Sequence, residues 1–279
     1  MDKNLNASNA GQVKLGSFTV NRIGLGTNRI TDTENARAVL RRAAELGINF
    51  IDTADIYQRG QSEETIGRVF PSGTKTVIVA SKGGMSWEDH GAINDPSYLR
   101  KAIDASLRRL GRSQIDLYQL HRTDPNIPIE ETAGVLKEMQ DQGKVKHIGL
   151  SEVGVETIER ARTVVEIVSV QNHYNLVVRK HEAVLEYCEA HGIVFIPFFP
   201  LGKGQIVEEA VGRIAQVHDA SPVQISIAWL LKRSPAMLPI PGTLSIKHLE
   251  SDVAAANIAL SAEEFELLNS VVTFQPARI

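Results

Sequence analysis

Two rhythms of apolar and polar residues alternate along the chain. Short runs rich in β-branched and aromatic residues lack helical spacing and read as strands: "INFID" (48–52), "TVIVAS" (76–81), "IDLYQL" (115–120), "KHIGLS" (146–151), "VSVQ" (168–171), "IVFIPF" (193–198) and "AMLPIP" (236–241). One more strand is expected around Arg22 to Leu25, at the end of "VKLGSFTVNRIGLG", whose earlier part reads as a short β-hairpin. Each strand is followed by a segment with apolar residues at helical spacing. These segments are Glu34–Leu46, Ser62–Val69, Ser97–Leu110, Ile129–Gln142, Val155–Val165, Lys180–His191, Pro222–Lys232 and Lys247–Ala256. Helix starts carry Pro in the first turn ("DPSY", "SPVQ") or a capping box ("SAEE"), and several helices stop at Gly, as in "ELGINF" and "AHGIVF".

Strands that are apolar on both faces and alternate with helices imply a parallel sheet covered by helices, an α/β fold. Eight strand–helix units favour a closed (β/α)8 TIM barrel over an open doubly wound sheet. So do the polar residues at strand ends: Asp52, Lys82, His121, Ser151 and Gln171 come from different units and would converge on one face. Two additional helices, Ile206–Val217 and Ala262–Val271, complete the expected layout. A single domain spans 1–279, with residues 1–12 expected to form a flexible tail.

Composition narrows the function classes. The chain has 279 residues, 43% apolar and 23% charged, with net charge −3, and its Lys and Arg are dispersed. Neither a nucleic-acid footprint nor a membrane-binding patch is therefore expected. No apolar run reaches the length of a membrane span, and the polar N-terminus lacks a signal peptide's apolar stretch. The lone Cys188 forms no internal disulfide, which fits a reducing compartment. These features lead to the expectation of a cytoplasmic globular protein, a monomer or weak oligomer.

No single motif decides the chemistry. "GLGTNR" has a G-x-G, but Arg29 stands where a dinucleotide fingerprint needs its third Gly. "HRTDP" and "SWEDH" lack further ligands at metal spacing, so no metal is expected, and no G-x-S-x-G marks a nucleophile. Asp55 reads as a solvated or capping turn residue, and Trp87 as a substrate wall or a loop anchor. Lys82 and His121, taken singly, also read as ordinary strand-end residues. Together with Asp52 and Tyr57 they make a coherent set, because a phenol with an ordinary pKa of about 10 is a poor acid. An ammonium held by a carboxylate stabilises its phenolate, and an imidazole orients the oxygen that takes the proton.

"FIDTADIY", "VASKGG", "LYQLHRTDP", "GKVKHIGLS", "VQNHYN", "FFPLGKG" and "QISIAWLLKRSPAMLPIPGT" together resemble the aldo-keto reductase superfamily, in order and spacing, over essentially the whole chain. The resemblance implies a (β/α)8 barrel that reduces carbonyls by hydride transfer from NADPH. It makes Tyr57 the general acid, Lys82 the group that lowers its pKa, Asp52 the partner of Lys82, and His121 the carbonyl-positioning residue. By the same carry-over Gly26, Thr27 and Asn28 lie near the nicotinamide ribose and pyrophosphate, and Ser151, Glu152 and Gln171 near the carboxamide. Phe198 stacks on the nicotinamide; Pro200, Leu201, Gly202 and Lys203 line the pyrophosphate; Gly242, Thr243, Ser245, His248, Ser251 and Asp252 surround the adenosine end. Tyr57, Trp87 and His121 face substrate.

Three departures from the family pattern stand out. Glu152 occupies a place where many members have Asn, and a carboxylate cannot donate to a carboxamide oxygen. Gly242 and His248 replace a phosphate-binding Lys and Arg of some members, although Thr243, Ser245, Lys247 and a charged His248 could bind a 2′-phosphate. NADPH is thus favoured, with NADH the alternative. The chain stops soon after its last helix, so an open pocket is expected. The wording around "GLSEV" and "IPFFPLGKG" looks closest to a bacterial branch that includes pyridoxal reductases, which makes pyridoxal a candidate substrate. The other reading is a cofactor-binding regulatory protein resembling channel β-subunits.

Overall fold

The computed structural model describes residues 5–74, 76–199 and 209–270. Within them the alternating pattern folds as its periods dictate. Strands β3 (Leu25–Gly26), β4 (Phe50–Asp52), β5 (Ile78–Gly83), β6 (Ile115–Leu120), β7 (Val145–Ser151), β8 (Ile167–His173) and β9 (Val194–Phe198) pair in sequence order as a seven-stranded sheet. Every pairing is parallel. The returns are made by α1 (Glu34–Glu45), α2 (Gln61–Val69), α3 (Pro96–Leu110), α4 (Ile129–Asp141), α5 (Val155–Arg162), α6 (Glu182–His191), α8 (Pro222–Arg233) and α9 (Ile246–Ala254). The two extra helices are α7 (Glu209–Val217) and α10 (Ala262–Asn269); the expected start at Ile206 and end at Val271 lie outside the described residues.

The expected eighth strand, "AMLPIP", is not a regular ladder strand, because Pro239 and Pro241 have no N–H to donate. It closes the barrel all the same. On one side the Phe195 amide donates to the Ala236 carbonyl at 2.9 Å, and the Leu238 amide to the Phe195 carbonyl at 2.9 Å. On the other, Gly24 donates to the Pro239 carbonyl at 2.9 Å and Gly26 to the Pro241 carbonyl at 3.1 Å. The (β/α)8 expectation therefore holds, with one stave that mainly accepts on the side facing β3.

Side chains alternate across the sheet, and the two sets have different jobs. Ile51, Val79, Tyr118, Leu120 and Phe195 point outward into the main core beneath the helices. Phe50, Ile78, Ala80, Leu117, Val194, Ile196, Leu238 and Ile240 fill the barrel interior. The hairpin β1 (Gln12–Leu15) and β2 (Phe18–Asn21) adds Leu15 and Val20 to that interior cluster, which plugs the N-terminal mouth. Burial is thus apolar at the bottom and switches to Asp52, Lys82, Gln119, Ser151 and Gln171 at the top.

A register shift interrupts the β7–β8 pairing: Ile148 faces Ile167 and Gly149 faces Ser169, so Val168 is the extra residue. The bulge reverses the alternation of β8, placing Gln171 rather than Val170 toward the barrel axis. Within the segment expected to form a tail, the described residues include a short 3-10 turn (Ala7–Ala10) that buries Ala7 completely and ties its amide to the Leu46 carbonyl at 2.8 Å. Leu5 and Ala10 pack against the main core beside Ala7, so three apolar residues dock a largely polar stretch.

Gly67 lets α2 nest on the end of α3: a Cβ there would lie 2.6 Å from the Leu110 carbonyl oxygen and 2.9 Å from that of Arg109. In an open helix Gly→Ala gains roughly 1 kcal/mol. Here overpacking against backbone costs about 1–3 kcal/mol. Gly67→Ala is expected to lower the thermal midpoint, and a raised midpoint would show that the two helices are free to separate.

Candidate active site

The polar residues at the top of the barrel are held in place by the strands that carry them. Lys82, completely buried near the end of β5, directs its ammonium across to β4. Its Nζ donates to Asp52 Oδ2 at 2.7 Å, to the Thr53 carbonyl at 2.9 Å and to the Tyr57 hydroxyl at 3.1 Å. Asp52 keeps its other oxygen for Gln171 Nε2 at 2.8 Å and Gln119 Nε2 at 3.3 Å. His121, 7% exposed just past β6, stands edge-on to the Tyr57 ring with centroids 5.9 Å apart. The structure thus brings Asp52, Tyr57, Lys82 and His121 into one cluster.

Tyr57 reaches the cluster by a strained route. Gln58 (φ 51°), Arg59 (φ 54°) and Gly60 (φ 86°) are successively left-handed and turn the chain from Tyr57 into α2. Such a backbone costs on the order of 1–3 kcal/mol for each non-Gly residue. Gln58 Nε2 pins the turn to the Asn28 carbonyl at 3.0 Å.

Burial and charge set the protonation states. Burial drives the Tyr57 phenol above its ordinary value, against the opposing pull of the Lys82 ammonium. The phenol therefore keeps its proton at neutral pH, and Lys82 moderates the rise without producing a net lowering. Burial alone would depress Lys82, but Asp52 and the Tyr57 oxygen outweigh it, so the ammonium is held above its ordinary value. Burial, then Lys82 and Arg122, push His121 well below its ordinary value, leaving a neutral imidazole.

These groups open into a cavity of about 510 Å³. Its walls include Gly26, Thr27, Asn28, Asp52, Tyr57, His121, Ser151, Gln171, Phe198 and Gly242 from the sequence-derived set. Gly26 and Gly242 pack too closely for side chains: a Cβ would meet the Ile240 carbonyl oxygen at 2.7 Å and that of Gly26 at 2.9 Å, respectively. The Thr27 hydroxyl is committed to the Asp52 carbonyl and to Ser62, each at 2.8 Å. Thr243, Ser245, His248, Ser251 and Asp252 are not in the cavity wall but lie just before and along α9, which Ser245 caps. Burial raises the Asp252 carboxyl to about 7. Pro200, Leu201, Gly202 and Lys203 lie outside the described residues.

Three sequence expectations change. Glu152 does not line the cavity: its backbone is left-handed (φ 54°), and its carboxylate turns to the His173 amide at 2.6 Å and Lys180 at 3.2 Å. Burial would raise its pKa, but the facing His181, the His173 amide and Lys180 hold it at about 2. Trp87 sits in the exposed loop after β5 and is absent from the cavity wall. Asp55 is no solvated cap. It is 2% exposed, and burial followed by the nearby Glu63 raises its carboxyl to about 7, against the pull of Arg109. Glu63 and Arg109 themselves pair at 2.6 Å.

The structure also adds residues. Arg29 and Arg122 line the cavity, and His173 stacks on Phe198 at 5.3 Å and 17°. The His173 ring supports the aromatic face that Phe198 offers, and the Glu152 carboxylate anchors the His173 backbone. Among the described residues no group of three or more His, Cys, Asp or Glu is placed to hold a metal, and no helix is long and apolar enough to cross a membrane.

Known proteins share this sequence and fold. The chain is 44% identical over 283 aligned residues to an uncharacterized oxidoreductase of Schizosaccharomyces pombe, covering 95% of this chain and 91% of the relative. It is 37% identical over 276 residues to the pyridoxine 4-dehydrogenase of Escherichia coli, covering 92% and 96%. Among solved structures, the aldo-keto reductase from Klebsiella pneumoniae in complex with NADPH superposes with a TM-score of 0.84 at 28% identity, covering 96% of this chain and 98% of that one. Residues 22–273 match the model of the aldo/keto reductase family. With the barrel and its cluster of Asp52, Tyr57, Lys82 and His121 in view, the chain belongs to the aldo/keto reductase family.

Proposed function

We propose that this protein reduces aldehydes and ketones to alcohols with NADPH, Tyr57 delivering the proton. The observation that carries this reading is the placement of the Lys82 ammonium between Asp52 (2.7 Å) and the Tyr57 hydroxyl (3.1 Å). A phenol so placed keeps its proton until a carbonyl oxygen gains negative charge. The ammonium then stabilises the phenolate that remains. Asp52 fixes the ammonium, and Gln171 and Gln119 fix Asp52. His121, held neutral, has an N–H to offer the same oxygen without competing for the proton.

The cavity suits a nicotinamide dinucleotide. Phe198 gives a flat apolar face, Ser151 and Gln171 give polar groups beside it, and Gly26 and Gly242 expose backbone along the wall. Bound there, the cofactor supplies hydride to the carbonyl carbon. Asn28 belongs to the same wall, while Thr243, Ser245, His248, Ser251 and Asp252 would meet the adenosine end, with Lys247 and His248 nearest in sequence for a 2′-phosphate. The E. coli relative is named for pyridoxine, which supports pyridoxal as a substrate to test first.

Tyr57→Phe should lower kcat/KM for pyridoxal or benzaldehyde by roughly 10²- to 10⁴-fold, with NADPH still binding in a fluorescence titration. Unchanged turnover would remove Tyr57 from the mechanism. NADPH binding by the unmodified protein without turnover of any carbonyl would favour a regulatory binding protein instead.

The directions of the Tyr57, Lys82 and His121 shifts predict a pH profile. Tyr57 and Lys82 keep their protons below their raised values, and His121 is already neutral. Reductive kcat/KM should stay level from about pH 6 to 9 and fall only in the alkaline range, above about 10. A limb centred near 6.5 would show that His121 titrates during turnover. Glu152→Ala should release His173 and loosen the Phe198 stack, raising the Kd for NADPH several-fold while turnover at saturating NADPH persists. An unchanged Kd would separate Glu152 from the cofactor platform.

A further inference from the structure

Arg122 is an unusual arginine in this molecule. Its Nη1 donates to the His121 carbonyl at 2.6 Å and to Ser151 Oγ at 3.2 Å, and its guanidinium carbon lies 5.8 Å from the Phe198 ring centre. Among the described residues it makes no ion pair, and its Nε and Nη2 have no protein acceptor. Other partly buried arginines are answered: Arg109 pairs with Glu63, Arg112 with Asp116, and Arg22 is bound by the carbonyls of Met237, Leu231 and Ser234.

Among the described residues the wall of the cavity holds two guanidinium groups, Arg29 and Arg122, and a single carboxylate, Asp52, already neutralised by Lys82. A cleft with that balance attracts anions. Arg29 is tied to the Gly242 carbonyl, on the side assigned to the dinucleotide. Arg122 follows His121 directly in the chain and lines the same cavity as Tyr57 and His121. Its remaining donors are therefore within the cleft that holds the reacting groups. A guanidinium fork matches both oxygens of a carboxylate or phosphate.

We propose that Arg122 is a specificity residue, giving the pocket a preference for carbonyl compounds that carry an anionic group, carboxylate or phosphate, near the carbonyl. The inference rests on the carbonyl-reductase reading and narrows its substrate class.

The test uses the full chain with NADPH and matched probes: 2- and 4-carboxybenzaldehyde against benzaldehyde, and pyridoxal 5′-phosphate against pyridoxal. The readout is the ratio of kcat/KM, charged over neutral. At least one pair should favour its charged member by about tenfold or more, and the favoured pair tells carboxylate from phosphate. Arg122→Met should cut that ratio by roughly 10- to 100-fold, the worth of a hydrogen bond to a charged group. Arg122→Lys should restore part of it, as a charge without the fork. Rising salt should erode the ratio in the unmodified enzyme, a check that needs no variant.

A ratio at or below one for every pair, or a ratio that survives Arg122→Met, overturns the proposal. So does a loss confined to NADPH affinity, which would assign the guanidinium to the cofactor. The same probes titrated calorimetrically into enzyme saturated with NADP+ report the preference without turnover. A failed reductase reading and a failed anion preference are thereby distinguished.

Discussion

The ion pair between Lys82 and Asp52 is the constraint around which the top of the barrel is built. Both groups are essentially withdrawn from water, and each alone would cost several kcal/mol to bury. Their attraction compensates only if the remaining donors and acceptors are also met. That requirement recruits the Thr53 carbonyl, the Tyr57 hydroxyl and the amides of Gln119 and Gln171. It also gives a reason for the β7–β8 bulge, since without the extra residue at Val168 the Gln171 side chain would face the helices. A local irregularity in one strand thus serves a charge on another.

The same burial divides the labour among the titrating groups. Left to itself, a dry environment would neutralise all of them: it raises the phenol, lowers the imidazole and lowers the ammonium. Asp52 exempts only Lys82 from that tendency. What remains is a neutral acid, a neutral imidazole and a fixed positive charge beside the acid. Proton delivery then depends on charge developing in a bound molecule rather than on the pH outside.

Much of this was legible in the chain. Hydrophobic alternation located the strands, and polar residues at their ends located Asp52, Lys82, His121, Ser151 and Gln171, because in a barrel those ends share one face. Other features depend on geometry that residue type does not encode. "AMLPIP" has a strand's composition, but its prolines remove the donors that a ladder needs. Glu152 follows Ser151 in a strand-end motif, yet its left-handed backbone turns the carboxylate away from the cavity. Asp55 sits in a turn-like string, and only the packing of α2 and α3 reveals that it is buried. Arg122 drew no attention in the sequence, since the absence of a counterion among the described residues shows only once the chain is folded.

The proline-bearing stave gives the barrel a weak seam. Across it, Gly24, just before β3, and Gly26 donate, and no amide returns from Pro239 or Pro241. The lips of the seam are Gly26 and Gly242, which also wall the cleft. A molecule lodged there touches both edges of the join and acts as a clasp on the cylinder. Filling the cleft and fastening the fold become one event, so resistance to unfolding tracks the supply of whatever fills it.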